Sequence, residues 1–120
     1  MSYLRDVGVR TECAVQGAAG SGSFTPMLSV IIVTFRSRAE IEACLQSIPR
    51  SLQERPVQVI VVENASGDGI GEVVRGRFPG VTYLELANNV GFAKANNIGY
   101  EKADGDFILF LNPDSRDERL

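Results

Sequence analysis

The chain has 120 residues, which is enough for one domain with a single core, and 44% hydrophobic with 22% charged residues is ordinary for a soluble globular α/β protein. Its formal net charge of -3 argues against a protein that grips nucleic acid through the phosphates, because that task needs a concentrated basic face. The chain has no histidine, and its only two cysteines are far apart, which excludes a zinc site.

Residues 1–26 are predicted to be a flexible leader, because Gly17–Ser23 contains only Gly, Ala and Ser and has the composition of a tether. Folded structure is predicted over residues 27–120. No apolar stretch is long enough to cross a bilayer, and charged residues occupy the place where a secretory signal would have its hydrophobic core. We therefore expect a cytoplasmic protein without a membrane span.

The first folded segment is Leu28–Thr34, which is rich in β-branched residues and nearly all apolar, as in a central parallel strand. Ser37, followed three residues later by Glu40, predicts a capping box at the start of a helix. The apolar face of this helix repeats at helical spacing through Ile41, Cys44, Leu45 and Ile48. Cys44 is accordingly expected to be a buried thiol rather than a disulfide partner.

The remaining elements alternate in the same way. Val57–Val62 is a second buried strand, and a second helix with Ile70–Phe78 follows it. Val81–Leu86 alternates like a strand near the sheet edge, Phe92–Ala103 is a third helix, and Phe107–Leu111 is a buried fourth strand. Right-handed crossovers then give a Rossmann-like, doubly wound and mostly parallel sheet in three α/β/α layers.

The first, second and fourth strands all end in polar residues. A parallel sheet brings these carboxyl ends to one edge, which is where open α/β sheets bind their ligands. The candidate binding residues placed there, together with one lysine from the start of the third helix, are Thr34, Arg36, Glu63, Asn64, Asp68, Lys94, Asn112 and Asp114.

Two readings stay open for the polar segment after the second strand. Glu63 directly follows a buried strand, where a carboxylate can accept hydrogen bonds from a base or a ribose hydroxyl. Asn64, Ser66 and Asp68 are also the residue types that cap helices and stabilise turns through bonds to the backbone. The spacing does not decide between ligand binding and capping.

The same holds at the fourth strand and the third helix. Asp114 together with a diphosphate is a typical way to hold Mg²⁺ or Mn²⁺, because these cations take oxygen ligands and borrow part of their shell from the substrate. Asn112–Ser115 also suits a simple turn, and Lys94 is either a phosphate or base ligand or an ordinary solvated lysine. No glycine-rich phosphate loop follows the first strand, which argues against NAD and against a P-loop ATPase.

Four segments in chain order carry a family resemblance. Leu28–Phe35, Val61–Gly69, Asn89–Asn97 and Phe110–Ser115 resemble the successive motifs of family 2 glycosyltransferases, most of all those of the bacterial rhamnosyltransferase-like branch. The resemblance implies the N-terminal half of a GT-A fold, which holds a nucleoside diphosphate sugar and a divalent metal.

By this resemblance, Thr34 lies against the nucleoside, and Glu63 takes the place of the aspartate that usually binds the base. Phe92, Lys94 and Asn97 fall in the motif that lines the base and ribose. Glutamate in place of aspartate lengthens the side chain by one methylene, which is expected to shift the base or alter the base preference.

Asn112-Pro113-Asp114 stands where the family has its DXD motif, so the resemblance makes Asp114 the ligand of Mg²⁺ or Mn²⁺ and of the diphosphate. Asn112 occupies the first position of that motif and leaves Asp114 as its only carboxylate. Metal affinity in the absence of nucleotide is therefore expected to be weak.

The implied activity is transfer of a sugar, with rhamnose as one candidate, from a dTDP- or UDP-linked donor to a glycan or lipid-linked acceptor in cell-wall or polysaccharide biosynthesis. Family members carry roughly another domain after the DXD strand, and this sequence ends at Leu120. We therefore expect residues 27–120 to be a truncated, donor-binding subdomain that is inactive by itself. The alternatives are an inactive fragment and a non-catalytic α/β interaction module that self-associates through the face left exposed.

Overall fold

The computed structural model describes residues 2–4 and 26–113. The elements in chain order are β1 (Ser2–Leu4), β2 (Leu28–Thr34), α1 (Arg38–Gln46), β3 (Ser51–Leu52), β4 (Arg55–Glu63), α2 (Ile70–Arg77), β5 (Thr82–Glu85), α3 (Phe92–Glu101) and β6 (Phe107–Leu111). The four strands and three helices predicted from the periodicity are all present. Their ends agree with the prediction to within about two residues, which is the usual uncertainty of such boundaries.

The sheet is mostly parallel, as predicted. β2 lies in its middle and pairs in parallel with β4 on one side and β6 on the other. β5 extends the parallel part beyond β4, and β1 adds an antiparallel strand at the β6 edge. The chain thus moves outward from β2 to β5 and then crosses back to β6. This reversal creates a switch point between β2 and β6, where the connections diverge and leave a crevice at the carboxyl ends of the strands.

Two apolar cores lie on the two faces of the sheet. Every residue of β2 is buried, and successive side chains point to opposite faces. Val30 and Ile32 pack against α1 and α2, whereas Ile31 and Val33 pack on the side covered by α3. The sheet is therefore the middle of three layers, as predicted. Among the described residues, no helix has the length and apolar character needed to span a bilayer.

Helix α3 approaches the sheet closely because its inner face is built from small residues. The buried residues of α3 are Ala95 and Gly99, and Ala95 is completely buried. A Cβ placed on Gly99 would lie 2.7 Å from Ile31 Cγ2 and 3.1 Å from Val62 Cγ2, so a side chain does not fit there without movement. On the opposite face, Cys44 is a buried thiol on α1, which confirms the prediction.

The predicted capping box at α1 is wrong. Ser37 does occupy the N-cap position, but its side chain makes no capping bond. Its hydroxyl instead accepts a bond from the Phe35 N–H and lies 3.2 Å from the Phe35 carbonyl. The carboxylate of Asp68, 30 positions along the chain, accepts from the Arg38 N–H at 3.3 Å in its place. A tertiary contact has replaced the local cap.

Two short strands were not predicted. β3 forms a two-residue antiparallel ribbon with the start of β4, and the turn between them places Gln53 and Glu54 at φ values of 50° and 64°. β1 has three residues and pairs with β6. Segments this short carry no periodic signal. Residues 1 and 5–25 of the predicted leader lie outside the described residues, as do residues 114–120.

Candidate functional site

The carboxyl ends of the parallel strands meet at one edge of the sheet. Thr34 at the end of β2 is the register partner of Glu63 at the end of β4, and Glu63 is in turn the partner of Glu85 at the end of β5. On the other side of β2, Ile31 pairs with Phe110, so β6 ends at the same edge. The structure therefore brings the segments after β2, β4 and β6 side by side. We call this the carboxyl edge.

Glu63 is buried beneath this edge, with 2% of its surface exposed. Its Oε1 accepts a bond from Thr34 Oγ1 at 2.6 Å, and Thr34 itself is fully buried. Its Oε2 accepts from the Ser66 N–H at 2.6 Å and also from the Ser66 hydroxyl. A buried carboxylate is costly unless it is hydrogen-bonded, and here both oxygens have donors. Glu63 thus ties β2 to the segment that follows β4.

That segment, residues 64–69, is called here the β4–α2 loop, and it has an unusual backbone. Ala65 has φ 66°, and Gly67 and Gly69 have φ 71° and 81°. The left-handed conformation costs a non-glycine residue about 1–2 kcal/mol, so the surroundings must hold Ala65 in place. A Cβ on Gly69 would lie 2.5 Å from Arg38 Nη1, which is a second reason for glycine at that position.

Asn64 joins three segments of the carboxyl edge. Its backbone N–H donates to the carbonyl of Thr34 at 2.8 Å. Its side-chain oxygen accepts from the Val90 N–H at 2.9 Å, and its side-chain nitrogen donates to the Gly91 carbonyl at 3.3 Å. Since Asn64 is 4% exposed, its side chain fastens the loop in front of α3 rather than projecting into solvent.

Asp68 joins the starts of two helices. Its carboxylate accepts from the N–H of Arg38 in α1 and, at 3.2 Å, from the N–H of Ile70 in α2. The Arg38 guanidinium returns a bond to the Asp68 carbonyl at 3.0 Å. A carboxylate at a helix N-terminus satisfies otherwise unpaired N–H groups and complements the helix dipole. These contacts correspond to the capping interpretation of Asp68.

The side chains that reach solvent at the carboxyl edge come mainly from the β2–α1 segment and from α3. Phe35 is 42% exposed and Phe92 is 56% exposed, and the Arg36 guanidinium lies 5.0 Å from the centre of the Phe35 ring. Lys94 and Asn97 are also exposed on the first turns of α3. Phe35 was not among the predicted site residues. The available signal was an aromatic residue directly after a central strand.

A cavity of about 250 Å³ opens beside Glu63, between the β4–α2 loop and the end of β5. The Tyr83 hydroxyl lines it and donates to Glu85 Oε1 at 3.0 Å, while the Arg75 guanidinium lies 4.9 Å from the Tyr83 ring centre. Burial, followed by the bond to Glu85, raises the pKa of Tyr83. Sequence analysis did not predict Arg75, Tyr83 or Glu85, because a short edge strand gave no indication of which of its residues face a cavity.

A larger groove of about 500 Å³ lies at the opposite edge of the sheet, between the carboxyl ends of α1 and α2. Its lining is mostly apolar and includes Ile48, Val57 and Phe78. Volume alone would favour this groove as the ligand site. We place the candidate site at the carboxyl edge instead, because the convergent polar groups lie there.

The predicted metal ligand, Asp114, lies outside the described residues. Asn112, two positions before it, is partly buried at the carboxyl edge, and its carbonyl oxygen lies 3.9 Å from Cys44 Sγ. Within residues 2–4 and 26–113 no three Asp, Glu, Cys or His side chains are grouped closely enough to hold a metal ion. The metal site therefore stays a prediction.

Comparison with curated proteins identifies relatives that are much longer. The chain is 32% identical over 88 residues to an uncharacterised glycosyltransferase of Haemophilus influenzae, covering 73% of this chain and 29% of that protein. It is 34% identical over 71 residues to the N-acetylglucosaminyl-diphospho-decaprenol L-rhamnosyltransferase of Mycobacterium tuberculosis, covering 59% of this chain and 23% of the relative. The chain thus spans less than a third of the length of these relatives.

Solved structures give the same fold. S. aureus TarS in complex with UDP superposes with a TM-score of 0.62 at 27% identity, over 72% of this chain and 27% of TarS. The mannosyltransferase PcManGT of Pyrobaculum calidifontis, solved with GDP-Man and Mn²⁺, superposes with a TM-score of 0.65 at 24% identity, over 88% of this chain and 41% of that chain. The predicted GT-A architecture is therefore confirmed.

A family model described as Glycosyl transferase family 2 matches residues 29–119, from the beginning of β2 to beyond the end of β6. The match includes all four segments on which the sequence resemblance rested, apart from the first residue of the first segment. Together with the nucleotide-sugar-binding fold shared with the solved structures, it establishes that this chain belongs to glycosyl transferase family 2.

Proposed function

We propose that this chain forms the donor-binding portion of a glycosyltransferase and holds the nucleoside diphosphate of a sugar donor at its carboxyl edge. One observation carries the proposal: the register places Thr34 beside Glu63, with the end of β6 next to them on the other side of β2. β6 leads directly into Asn112-Pro113-Asp114. A nucleoside over β2 and β4 would therefore have its phosphates close to that segment.

The base and ribose would be bound by residues from both sides of the edge. Exposed Phe92 offers a ring face for stacking, and Asn97 offers both a donor and an acceptor. The cations of Lys94 and Arg36 suit the negative charge of a diphosphate. The buried pair of Thr34 and Glu63 would form the floor of the site, with Asn64 and Asp68 fixing the surrounding loops.

We propose that Asp114, with Asn112 beside it, holds Mg²⁺ or Mn²⁺ against the diphosphate. Such a cation neutralises charge that develops on a leaving diphosphate. A single carboxylate would leave the rest of the coordination shell to water and to oxygens of the diphosphate. Metal binding by this chain should accordingly depend on the nucleotide.

The finer activity is proposed from the relatives. Rhamnose as a candidate sugar and a lipid-linked acceptor follow the M. tuberculosis rhamnosyltransferase, and a UDP-linked donor follows the UDP complex of TarS. A dTDP-linked donor and a glycan acceptor are the alternatives that the sequence resemblance implies. This assignment would put the reaction in cell-wall or polysaccharide biosynthesis. We propose that this chain binds the donor, and that residues outside those described here bind the acceptor and carry out the transfer. We propose a cytoplasmic location for this donor-binding portion.

Isothermal titration tests the proposal. UDP, dTDP and their sugars are titrated into the 120-residue chain with and without Mn²⁺. Binding heat that depends on the metal is expected for the wild type and should disappear in Asp114→Ala. Asp104→Ala is the matched control, because it removes the same charge from an exposed position between α3 and β6, at the opposite edge. Absence of heat with every nucleotide would contradict a functional donor site.

The second candidate is a non-catalytic interaction module that self-associates. The exposed aromatic rings of Phe35, Phe92 and Phe107 favour it, because large exposed apolar side chains often mark contact surfaces. Size-exclusion chromatography at several concentrations detects self-association. Only the donor-binding proposal expects Asp114→Ala to abolish metal-dependent nucleotide binding.

A further inference from the structure

By the family resemblance, Glu63 takes the place of the aspartate that usually binds the base. Its surroundings, however, leave its carboxylate little capacity to accept hydrogen bonds from a base. A carboxylate offers about four lone-pair positions. Thr34 Oγ1, the Ser66 N–H and the Ser66 hydroxyl already use three of them, and 98% of the residue is covered, since 2% is exposed. One position is left, but so little of the Glu63 surface is exposed that a base has little access to it.

The bonds from Glu63 determine the shape of the β4–α2 loop. Two of its three bonds go to Ser66, which directly follows the left-handed Ala65. On the other side of Ala65, Asn64 is fixed to the backbone at Val90 and Gly91. A left-handed alanine persists only where its neighbours are held on both sides, and Glu63 supplies one of the two anchors.

The same contacts extend to the residues that would touch the nucleotide. Asn64 fixes the loop in front of α3, and α3 begins with Phe92 and carries Lys94. Thr34, the other partner of Glu63, directly precedes the exposed Phe35. Glu63 therefore lies beneath the exposed side chains of the carboxyl edge and is connected to both groups of them.

We propose that Glu63 acts on the nucleotide as a positioning residue, through Ser66 and the β4–α2 loop, rather than as a direct ligand of the base. This inference rests on the proposed donor-binding function. It gives a physical reason for the glutamate: its carboxylate reaches both Thr34 and Ser66 at 2.6 Å, whereas an aspartate is shorter by about 1.5 Å, the length of one carbon–carbon bond.

The two roles predict different patterns of nucleotide selectivity. A residue that touches the base discriminates among bases, because a lost or mismatched bond affects only the base that makes it. A residue that shapes the loop affects every nucleotide to a similar extent. Uniform weakening across bases is therefore the signature of positioning.

The experiment compares Glu63→Asp and Glu63→Gln with the wild type, by titration with UDP, dTDP and GDP. Glu63→Asp should weaken binding of all three by about tenfold, the equivalent of one hydrogen bond, and should leave their ranking unchanged. Glu63→Gln should weaken nucleotide binding less than Glu63→Asp does, because the glutamine amide oxygen can accept from Ser66 while its NH₂ group donates to Thr34 Oγ1. Glu101→Asp, at an exposed position at the end of α3, is the matched control and should bind like the wild type.

Hydrogen exchange without nucleotide provides a second measurement that does not depend on donor binding. Glu63→Asp should raise the exchange rate of the Ser66 amide by about tenfold relative to the wild type, because that amide loses its acceptor. If the wild type binds no nucleotide, the donor-binding proposal fails, whereas this exchange measurement still tests whether Glu63 holds the loop. Far-UV circular dichroism shows whether each variant is folded.

Ser66→Ala serves if Glu63→Asp does not fold. This variant keeps the backbone N–H and removes only the hydroxyl bond to Glu63, so it should accelerate exchange in the loop and weaken binding of all three nucleotides. Unchanged exchange and binding in Ser66→Ala would overturn the inference. A change in the ranking of UDP, dTDP and GDP in Glu63→Asp or Glu63→Gln would do so as well, because it would show direct contact with the base.

Discussion

Replacement of Gly99 by alanine tests how α3 is held against the sheet. The added Cβ would lie 2.7 Å from Ile31 Cγ2 and 3.1 Å from Val62 Cγ2. Both methyl groups belong to fully buried, β-branched residues of central strands, so neither can swing away easily. Overpacking of this kind costs about 1–3 kcal/mol. Alanine returns about 1 kcal/mol through its higher helix propensity, so the net loss is at most about 2 kcal/mol.

Gly76→Ala in α2 is the matched control. It makes the same exchange within a helix, but its new Cβ would meet no atom within 4 Å. We expect this variant to gain about 0.5–1 kcal/mol. Urea unfolding followed by far-UV circular dichroism gives the free energy of unfolding of both variants. A Gly99→Ala protein that is as stable as Gly76→Ala would refute the close approach of α3 to the sheet.

Three further predictions concern stability. Ser29→Ala should cost about 1–3 kcal/mol in urea unfolding, because the buried hydroxyl donates to Gln58 and accepts from the Gly105 N–H, and a loss near zero would contradict these bonds. Gly105→Ala should lose about 2–3 kcal/mol, since its Cβ would lie 2.7 Å from the Ser29 backbone nitrogen, and wild-type stability would contradict that contact. The pKa of Tyr83 is raised in the folded protein, whereas an unfolded tyrosine has its ordinary pKa of about 10. Above that pH the unfolded chain releases a proton that the folded chain keeps. The contribution of Tyr83 to the free energy of unfolding is therefore present below about pH 10 and is lost as the pH rises further. Tyr83→Phe should reduce the stability difference between about pH 9 and about pH 11, and an unchanged difference would contradict the raised pKa of Tyr83.

The main elements could be predicted because their signals are local. β6 is an unbroken apolar run, β2 is apolar apart from Ser29 and Thr34, and the inward positions of α1 repeat at helical spacing. Information within about ten residues was sufficient to predict these elements. Right-handed crossovers predicted a doubly wound sheet, and the structure adds the strand order, with β4 and β6 on opposite sides of β2.

The details of the site could not be predicted because they depend on competition between distant groups. Ser37 has the right type and spacing for a capping box, but the carboxylate of Asp68 satisfies the start of α1 instead. Sequence placed Glu63 at a strand end. It did not show that Thr34 and Ser66 would occupy both carboxylate oxygens. Phe35 was missed because its exposure depends on the turn at Arg36, which has φ 57°.

The most direct test of the account is amide chemical-shift mapping of the wild-type chain during titration with UDP and Mg²⁺. The account predicts shifts confined to the carboxyl edge, at the amides of Phe35, Ser66, Gly91 and Asn112. The chemical shifts of amides at the opposite edge should not change, among them those of Leu52, Gly80 and Gly105. Shifts concentrated around the larger groove at that opposite edge, or no shifts at saturating UDP, would contradict a nucleotide site at the ends of β2, β4 and β6.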